Sequence, residues 1–177
     1  MNNFILLITG PAGAGKSSVA DSWAKKQKIP TIHLSLDQFR YFVKSGLVDP
    51  QEGWSEETKR QLSLAQKSCA EVVKIYLAEG YNCVIDDAVF PEWEEAGLDN
   101  WKQVLGPVAM KVVVLMPSFD ALIRRNFLRE GEEKLSDEMV KTIYEMMESW
   151  KDKEEVVIDN SNLTVEQTVE ELEKRLV

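Results

Sequence analysis

Histidine and cysteine are scarce in this sequence. Among 177 residues there is one histidine, His33, and there are two cysteines, Cys69 and Cys83. The cysteines have no metal-binding spacing, and both lie in apolar periodic segments, so we expect buried free thiols in a protein of a reducing compartment. His33 lies inside a predicted strand, and no second residue forms a metal or triad pattern with it. We interpret it as a hydrogen-bonded or half-buried strand residue.

Positive charge is also in short supply. Lysine and arginine number 21 against 30 aspartates and glutamates, which gives a formal net charge of −9 at pH 7. Nucleic-acid backbones bind basic surfaces. The charge balance therefore argues against nucleic acid as the main partner, although it leaves room for a local basic pocket.

Several signatures of other protein classes are missing. The opening segment, MNNFILLITG, has no basic lead, and its apolar run is too short for a signal peptide or a membrane span. We therefore expect a cytoplasmic protein without membrane attachment. The chain has no internal repeat, low-complexity tract or linker, which predicts a single domain over residues 1–177. It also lacks an NKxD-type guanine signature and a DxxG switch segment, so ATP is favoured over GTP.

The strongest positive signal is the segment GPAGAGKS at residues 10–17, which matches the phosphate-binding pattern GxxxxGK[ST]. Glycines let the backbone turn so that successive N–H groups face one anion, and the helix that follows adds its positive N-terminal end. Lys16 is suited to the β- and γ-phosphates of a nucleotide, and the Ser17 hydroxyl to Mg²⁺. The predicted nucleotide-binding residues are Gly10, Pro11, Ala12, Gly13, Ala14, Gly15, Lys16, Ser17 and Ser18.

Apolar runs alternate with segments of helical period along the rest of the chain. The runs predict strands over residues 4–9, 31–36, 83–86, 111–116 and 156–159. Further helices are predicted over residues 93–105 and after the capping residues Ser55, Ser118, Ser136 and Thr164. This alternation predicts a parallel sheet with helices on both faces, whose ligands bind beyond the carboxyl ends of the strands.

Carboxylates stand at the predicted ends of the second and third strands. Asp37 follows the second strand, with Arg40 within one turn of it, and Asp86 and Asp87 end the third. Phosphoryl transfer to a hydroxyl needs one carboxylate near Mg²⁺ and another that accepts the hydroxyl proton. We predict Asp37 as the general base and Asp86 as the residue of the Mg²⁺ shell. Asp87, on the opposite face of the strand, is predicted to turn toward the acceptor. A helix N-cap role remains the alternative for Asp37.

Two arginines precede a polar segment that has the character of a lid. Arg125 and Arg129 are four residues apart, so they share one face of a predicted helix. Guanidinium groups stabilise negative charge on a transferring phosphoryl group, which makes both residues candidates for that role. An ordinary solvated face with ion pairs is the alternative. Residues 130–136 predict a short lid over the nucleotide.

In chain order, the segments GPAGAGKS, LDQFR, VIDD, RRNFLR and VVIDNSN resemble the small P-loop kinases of the nucleoside-monophosphate-kinase-like class. Within that class the sequence is most similar to the chloramphenicol phosphotransferase, zeta toxin and polynucleotide kinase branch, and it also resembles gluconate-kinase-like proteins. The resemblance implies a three-layer α/β P-loop kinase fold with a five-stranded parallel sheet in the order 2-3-1-4-5.

The resemblance also implies roles for individual residues. Asp37 matches the general base of that branch, Arg40 an arginine near the acceptor, and Asp86 the acidic residue near Mg²⁺. Arg125 and Arg129 match the pair that leads into the lid, and the loop after the last strand matches one near the nucleotide base. The segment VIDDAVFP lacks the arginine found there in adenylate kinases, which argues against a nucleoside monophosphate as acceptor.

The leading hypothesis is an ATP-dependent kinase that uses Mg²⁺ and phosphorylates a hydroxyl group of a small molecule. Lys16, Asp37, Arg125 and Arg129 are its predicted catalytic residues, while Asp37, Arg40 and Asp87 are predicted to contact the substrate. Two alternatives stay open: a polynucleotide 5′-hydroxyl kinase, and a nucleotide-binding regulator or slow ATPase without an acceptor. The sequence leaves open whether Asp86 or Asp87 serves Mg²⁺, the identity of the acceptor, and the choice between monomer and dimer.

Overall fold

A parallel β-sheet of five strands forms the centre of the molecule. The computed structural model describes residues 3–50, 53–131 and 134–176, and its strands are β1 (Ile5–Thr9), β2 (Thr31–Ser35), β3 (Asn82–Asp86), β4 (Met110–Leu115) and β5 (Val156–Ile158). Their spatial order is β2-β3-β1-β4-β5, and each neighbouring pair is parallel. The predicted strand order is confirmed.

Helices connect the strands and cover the sheet. They are α1 (Lys16–Lys26), α2 (Leu36–Arg40), α3 (Glu56–Ala78), α4 (Leu98–Leu105), α5 (Phe119–Phe127), α6 (Asp137–Met147) and α7 (Val165–Leu176), with a 3₁₀ helix (Glu148–Asp152) directly after α6. Within the described ranges, no helix combines the length and the apolar character that crossing a membrane requires.

The sheet buries apolar side chains on both of its faces, because successive strand residues point to opposite sides. In β1, Ile5 and Leu7 join a core cluster with α3, α4 and the end of α6, whereas Leu6 and Ile8 join a second cluster with α1, α5 and α7. All four side chains are fully buried. Helices therefore pack on both faces of the sheet, as the strand–helix alternation predicts.

Side-chain caps begin several helices where the sequence predicts them. The Ser55 hydroxyl accepts a hydrogen bond from the backbone N–H of Thr58, and the Thr58 hydroxyl accepts one from the backbone N–H of Ser55. Such bonds pair N–H groups that the helix itself leaves open. The other predicted capping residues that make these bonds are Ser118 before α5, Ser136 before α6 and Thr164 before α7.

One predicted helix is shorter than the sequence indicated. The helical pattern over residues 93–105 becomes helix only after Gly97, which is the extended N-cap of α4. Before it, the Asn100 side-chain amide donates hydrogen bonds to two backbone carbonyl groups of the preceding turn. Trp93 packs its ring against that of Trp54, with the centroids 4.3 Å apart. Side-chain bonds and aromatic packing therefore hold this segment in turns instead of a helix.

The carboxyl ends of β1, β2 and β3 meet at one edge of the sheet. In the parallel register, Ser35 of β2 and Ile8 of β1 lie on either side of Asp86 of β3. The buried Thr9 hydroxyl accepts a 2.8 Å hydrogen bond from the backbone N–H of Val89. This bond fixes the segment after β3 to the end of β1, so the edge where we expect functional residues is held together on both sides.

The Thr9 bond predicts a loss of stability on substitution. Thr9→Val keeps the side-chain shape but leaves the buried Val89 N–H without its acceptor, which lowers stability by about 1–3 kcal/mol. We expect the free energy of unfolding, measured by denaturant titration, to fall by that amount. Thr142→Val on the exposed face of α6 is the control and should stay within about 0.5 kcal/mol of the wild type. Equal effects of the two substitutions would contradict the role of the Thr9 bond.

Candidate active site

The phosphate-binding loop lies between β1 and α1, and its geometry requires glycine. A Cβ atom on Gly10 would lie 2.1 Å from the carbonyl oxygen of Leu115, so no side chain fits unless the loop moves away from β4. Gly15, the N-cap of α1, has a φ angle of 92°, in the left-handed region that favours glycine. The helix begins at Lys16, directly after the loop, so the unpaired N–H groups of its first turn lie at the loop.

Lys16 connects the loop electrostatically to the other predicted site residues. Its ammonium donates hydrogen bonds to two carbonyl oxygens of the loop, at 2.9 and 3.2 Å. Burial lowers the pKa of Lys16, the carboxylates of Asp86, Asp37 and Asp87 oppose that shift, and the guanidinium of Arg129 adds to it. The three predicted carboxylates and one of the two predicted arginines therefore all act on the same ammonium group.

Asp86 joins three elements at the end of β3. Its buried carboxylate accepts a hydrogen bond from the Ser17 hydroxyl at 2.8 Å and another from Nε2 of His33 at 2.6 Å. The Ser35 hydroxyl adds a longer contact at 3.4 Å. Because a carboxylate only accepts hydrogen bonds, an ionised Asp86 pairs with His33 through an N–H group at Nε2. Ser17 and Asp86, the two residues predicted for the metal shell, are in direct contact.

The oxygen atoms of this cluster fit Mg²⁺. Magnesium takes one or two oxygen ligands from a protein and completes its shell with waters and substrate phosphates. Ser17 and Asp86 supply such oxygens beside the phosphate loop. In the part of the chain that the structure describes, no group of three or more His, Cys, Asp or Glu side chains could hold a metal ion. The donor set therefore suits an ion that is bound together with phosphate groups.

Asp87 points away from this cluster, toward α4. The indole N–H of Trp101 donates a 2.8 Å hydrogen bond to its Oδ2 atom. Burial raises the pKa of Asp87 to about 6, although the Trp101 bond acts in the opposite direction, and the charge of Asp37 raises it further. Two consecutive aspartates thus serve different sides of the sheet edge.

Asp37 lies in the first turn of α2 at the same edge. Ser35 precedes α2 as its N-cap, so Asp37 does not have the N-cap role that is its alternative from the sequence. The Arg40 guanidinium donates a 3.1 Å hydrogen bond to Asp37, whose side chain is still 67% exposed. The carboxylate is oriented by a neighbouring charge and remains open to a bound molecule.

A cavity of about 320 Å³, which we call the aromatic cavity, opens beside Asp37 and Asp87. Its polar lining includes Asp37, Arg40, Asp49, Gln66 and Asp87. Its apolar lining includes Trp54, Phe90, Trp93, Ile143 and Met146. A larger cavity of about 530 Å³ shares the α3 residue Gln66 with it but is lined by none of the predicted site residues. The aromatic cavity is therefore the space that adjoins the predicted general base.

Arg125 binds the phosphate loop from the side opposite the aromatic cavity. Its guanidinium donates hydrogen bonds to the carbonyl oxygens of Gly13 and Ala14, at 3.4 and 3.3 Å, and of Asn160, at 2.7 Å. The Asn160 amide donates a further 2.9 Å bond to Ala14. Arg125, Asn160 and Thr164 line a cavity of about 240 Å³, which we call the outer cavity. In this structure the Arg125 guanidinium is engaged with the backbone of the loop.

Arg129 lies in the connection between α5 and α6, just before the predicted lid. The prediction that it shares a helix face with Arg125 is wrong, because α5 ends at Phe127 with Leu128 as its C-cap. The buried Asn126 amide donates a 2.8 Å hydrogen bond to the Leu135 carbonyl and accepts a 3.1 Å bond from the Leu135 N–H. These bonds hold the far end of the connection against α5. Residues 132–133 of the predicted lid lie outside the described residues.

Two residues contribute to this site that are not among the predicted site residues, namely His33 and Gln66. Strand alternation offers a signal for His33, because His33 and Ser35 share a face of β2, and Ser35 pairs with Asp86 once β2 and β3 are known to be neighbours. Gln66 carries no such signal. It is 3% exposed, and within the described residues its amide Nε2 has no hydrogen-bond partner. Its place in the cavity wall is set by the packing of α3.

Comparison with known proteins identifies the family. Residues 5–151 match the family model AAA_33, described as an AAA domain. The chain belongs to this family. The matched region includes the phosphate loop, the Asp86 cluster and the residues of the aromatic cavity. No curated protein sequence matches this AAA_33 chain.

Solved structures show the P-loop kinase fold for this AAA_33 chain. A sugar kinase from Janibacter sp. HTCC2649 is similar with a TM-score of 0.67 and 16% identity, over 98% of this chain and 94% of that one. Shikimate kinase from Bacteroides thetaiotaomicron is similar with a TM-score of 0.65 and 20% identity, over 98% of each chain. A chain of the Pnkp1/Rnl/Hen1 RNA repair complex matches with a TM-score of 0.64 and 18% identity, over 85% of this chain and 45% of that one.

The raised pKa of Asp87 predicts a pH-dependent stability. The folded-state value of about 6 lies above the ordinary value of 3.8, so between these values the folded state binds the proton more tightly than the unfolded state. The stabilising contribution of this proton is fully present below about pH 4 and is lost as the pH rises through about 6. We expect Asp87→Asn to raise the melting temperature at about pH 7.5 and to change it little at about pH 4.

Asp99→Asn is the matched control for this experiment. Asp99 lies in the first turn of α4, and its side chain is 94% exposed. Its substitution should shift the melting temperature by a similar small amount at every pH. A shift for Asp87→Asn that is equally independent of pH would contradict the raised pKa.

Proposed function

We propose that this protein is a kinase that transfers the γ-phosphoryl group of ATP, bound with Mg²⁺, to a hydroxyl group of a small molecule. The observation that carries the proposal is the aromatic cavity, which is lined by Asp37 and Asp87 at the same sheet edge as the phosphate loop. A protein that only bound a nucleotide would need no second cavity there. The kinase folds found among similar solved structures support the same reaction class.

The nucleotide phosphates are proposed to bind at the loop. The Lys16 ammonium would exchange its two loop carbonyls for the β- and γ-phosphates, which are stronger partners because they are charged. Bound Mg²⁺, held by Ser17 and Asp86, would neutralise phosphate charge. Ser18, whose side chain lies at the outer cavity, is proposed to contact the nucleotide with the loop residues 10–17.

The nucleoside part of ATP is proposed to lie in the outer cavity. Arg125 lines this space and can stack on a base while its bonds to the loop carbonyls stay in place. The loop after β5 closes the other side through Asn160 and Thr164. This position agrees with the expectation that residues 160–162 lie near the base.

Transfer requires a proton acceptor on the other side of the γ-phosphate. In the proposed reaction the acceptor hydroxyl gives its proton to Asp37 while its oxygen forms a bond to the γ-phosphorus. The bond from that phosphorus to the β–γ bridging oxygen breaks, and ADP leaves with the oxygen. Arg40 orients the Asp37 carboxylate through their hydrogen bond, and Asp87 is proposed to bind the acceptor.

Arg129 is the first candidate for stabilising the negative charge that develops on the transferring phosphoryl group. Its guanidinium acts electrostatically on Lys16, and guanidinium groups stabilise the oxygens of a transferring phosphoryl group. Arg125 remains the second candidate, with the added task of supporting the loop. Residues 130–136 are proposed to close over the nucleotide as a short lid. The whole chain, residues 1–177, is proposed to form a single domain.

Two other hypotheses have less support. A regulator or slow ATPase leaves the aromatic cavity without a use. A polynucleotide kinase would share its fold with the RNA repair chain, but one basic side chain against three acidic ones lines the described part of the cavity. Buried free thiols at Cys69 and Cys83 support the proposed cytoplasmic location.

The general-base role predicts a specific defect. Asp37→Asn removes the proton acceptor but none of the loop contacts, so we expect stabilisation by Mg²⁺-ATP to persist while transfer falls by about 10²-fold or more. The measurement is acceptor-dependent ADP release, using the first acceptor found among sugars, nucleosides and aromatic alcohols. Asp21→Asn, an exposed position on α1 paired with Lys25, is the control and should retain full transfer. Unchanged transfer in Asp37→Asn would show that another group takes the proton.

The outer cavity predicts a difference between two adjacent arginines of α5. Arg125→Ala removes the donor to three carbonyl oxygens, so we expect the dissociation constant for Mg²⁺-ATP to rise by about tenfold or more. Arg124→Ala, at an exposed position, should leave it within about twofold. The measurement is isothermal titration calorimetry with a non-hydrolysable ATP analogue. Equal affinities for the two variants would show that the nucleoside does not bind in the outer cavity.

A further inference from the structure

The charges of the aromatic cavity bear on which acceptors can enter it. Three carboxylates line it, those of Asp37, Asp49 and Asp87, against one basic side chain, Arg40, among the described residues. Arg40 already donates a hydrogen bond to Asp37. A phosphate or carboxylate group on the acceptor would therefore meet an excess of negative charge along the cavity lining, and the repulsion would be strongest at the half-buried Asp87. The cavity disfavours anionic acceptors and favours an ammonium group.

The apolar lining of the cavity indicates what kind of molecular body the acceptor has. The rings of Trp54 and Trp93 lie with their centroids 4.3 Å apart, and Phe90 packs edge-on to Trp93 at 5.4 Å. Ile143 and Met146 of α6 add apolar surface. Aromatic side chains bind apolar rings because the contact buries apolar surface, and they bind organic cations because the face of each ring carries partial negative charge. A molecule with an apolar or aromatic body fits this lining.

Gln66 provides an independent indication of a ligand. Its side chain is 3% exposed, and its amide Nε2 has no hydrogen-bond partner among the described residues. The residue lines both the aromatic cavity and the larger cavity of about 530 Å³. A buried donor without a partner lowers stability, so its presence is explained if a bound molecule supplies the acceptor atom.

We infer that the phosphate acceptor is an alcohol with an apolar or aromatic body and no anionic group, and that one of its oxygens accepts a hydrogen bond from Gln66. An amine on the same molecule strengthens its binding through the cavity carboxylates. The inference rests on the proposed function in one respect, since it takes the aromatic cavity as the acceptor site.

The first test compares three probes that share a phenyl ring and a benzylic hydroxyl and differ in charge. They are 2-amino-1-phenylethanol, which is cationic, 1-phenyl-1,2-ethanediol, which is neutral, and mandelate, which is anionic. Binding is measured by calorimetry on the full chain with Mg²⁺ and a non-hydrolysable ATP analogue. We expect the amine to bind tightest and mandelate to bind at least about tenfold more weakly than the diol. Tightest binding of mandelate, or no binding of any probe, overturns the inference.

The second test separates ligand binding from a structural role of Gln66. Gln66→Leu replaces an amide whose Nε2 has no partner among the described residues by an apolar side chain of similar size, so the melting temperature should stay the same or rise. The dissociation constants of the amine and the diol should increase by about tenfold, because each probe loses one hydrogen bond to the protein. Unchanged probe affinity in Gln66→Leu, or a lower melting temperature with unchanged affinity, overturns the assignment.

Gln61→Leu is the matched control on the same helix. The buried Gln61 amide is fully engaged, donating to the Gly46 carbonyl at 2.7 Å and to Glu57 at 2.8 Å and accepting from the Val48 N–H at 3.1 Å. Its replacement should lower the melting temperature by several degrees and leave probe affinity within about twofold. Gln66→Leu should therefore weaken probe binding without lowering the melting temperature, whereas Gln61→Leu should lower the melting temperature without weakening probe binding. This difference distinguishes a ligand donor from a structural amide.

Binding and transfer are scored separately so that the two proposals can fail independently. If the amine and the diol bind through Gln66 but never accelerate ADP release, the kinase proposal fails and the charge and shape assigned to the ligand stand. If an anionic alcohol such as mandelate accelerates ADP release more than the amine does, the kinase proposal stands and the inference on the acceptor is wrong.

Discussion

The hydrogen bond from Ser17 to Asp86 joins the phosphate loop to the rest of the sheet edge. His33 and Ser35 of β2 bind the same carboxylate, so α1, β2 and β3 share one buried anion. A buried carboxylate is stable only when hydrogen bonds replace its lost hydration, and here the donors come from separate parts of the chain. Asp37 follows β2 by two residues, and its position therefore depends on the same cluster.

The consecutive residues Asp86 and Asp87 face different surroundings at this edge of the sheet, because strand residues alternate between its two faces. Asp86 faces α1 and the loop, where its oxygens suit Mg²⁺, whereas Asp87 faces Trp101 and the aromatic cavity. The two carboxylates also differ in their surroundings. Asp86 is surrounded by hydrogen-bond donors, while burial dominates at Asp87 and raises its pKa. In the proposed function, one short strand end thus serves both the phosphate site and the acceptor site.

Helices α5 and α6 connect the two proposed substrate sites. Arg125 of α5 holds the phosphate loop from the outer cavity, and Ile143 of α6 lines the aromatic cavity. Between these helices, the Asn126 amide holds the backbone of Leu135. The segment predicted as a lid therefore follows the helix that carries Arg125 and ends at Ser136, the N-cap of the helix that lines the aromatic cavity.

The strand order of the sheet was implied by the resemblance to small P-loop kinases. The sequence by itself determined the phosphate loop, the alternation of strands and helices, and the approximate place of Asp37, Asp86 and Asp87. These features depend on local rules, namely glycine spacing, apolar runs and the position of polar residues at strand ends. Only the tertiary structure decided that His33 binds Asp86, that Gln66 lacks a partner in the described chain, and that Trp93 lies in a turn beside Trp54. Such contacts join residues far apart in sequence, and they depend on how helices pack on the sheet, which no local pattern of residues specifies.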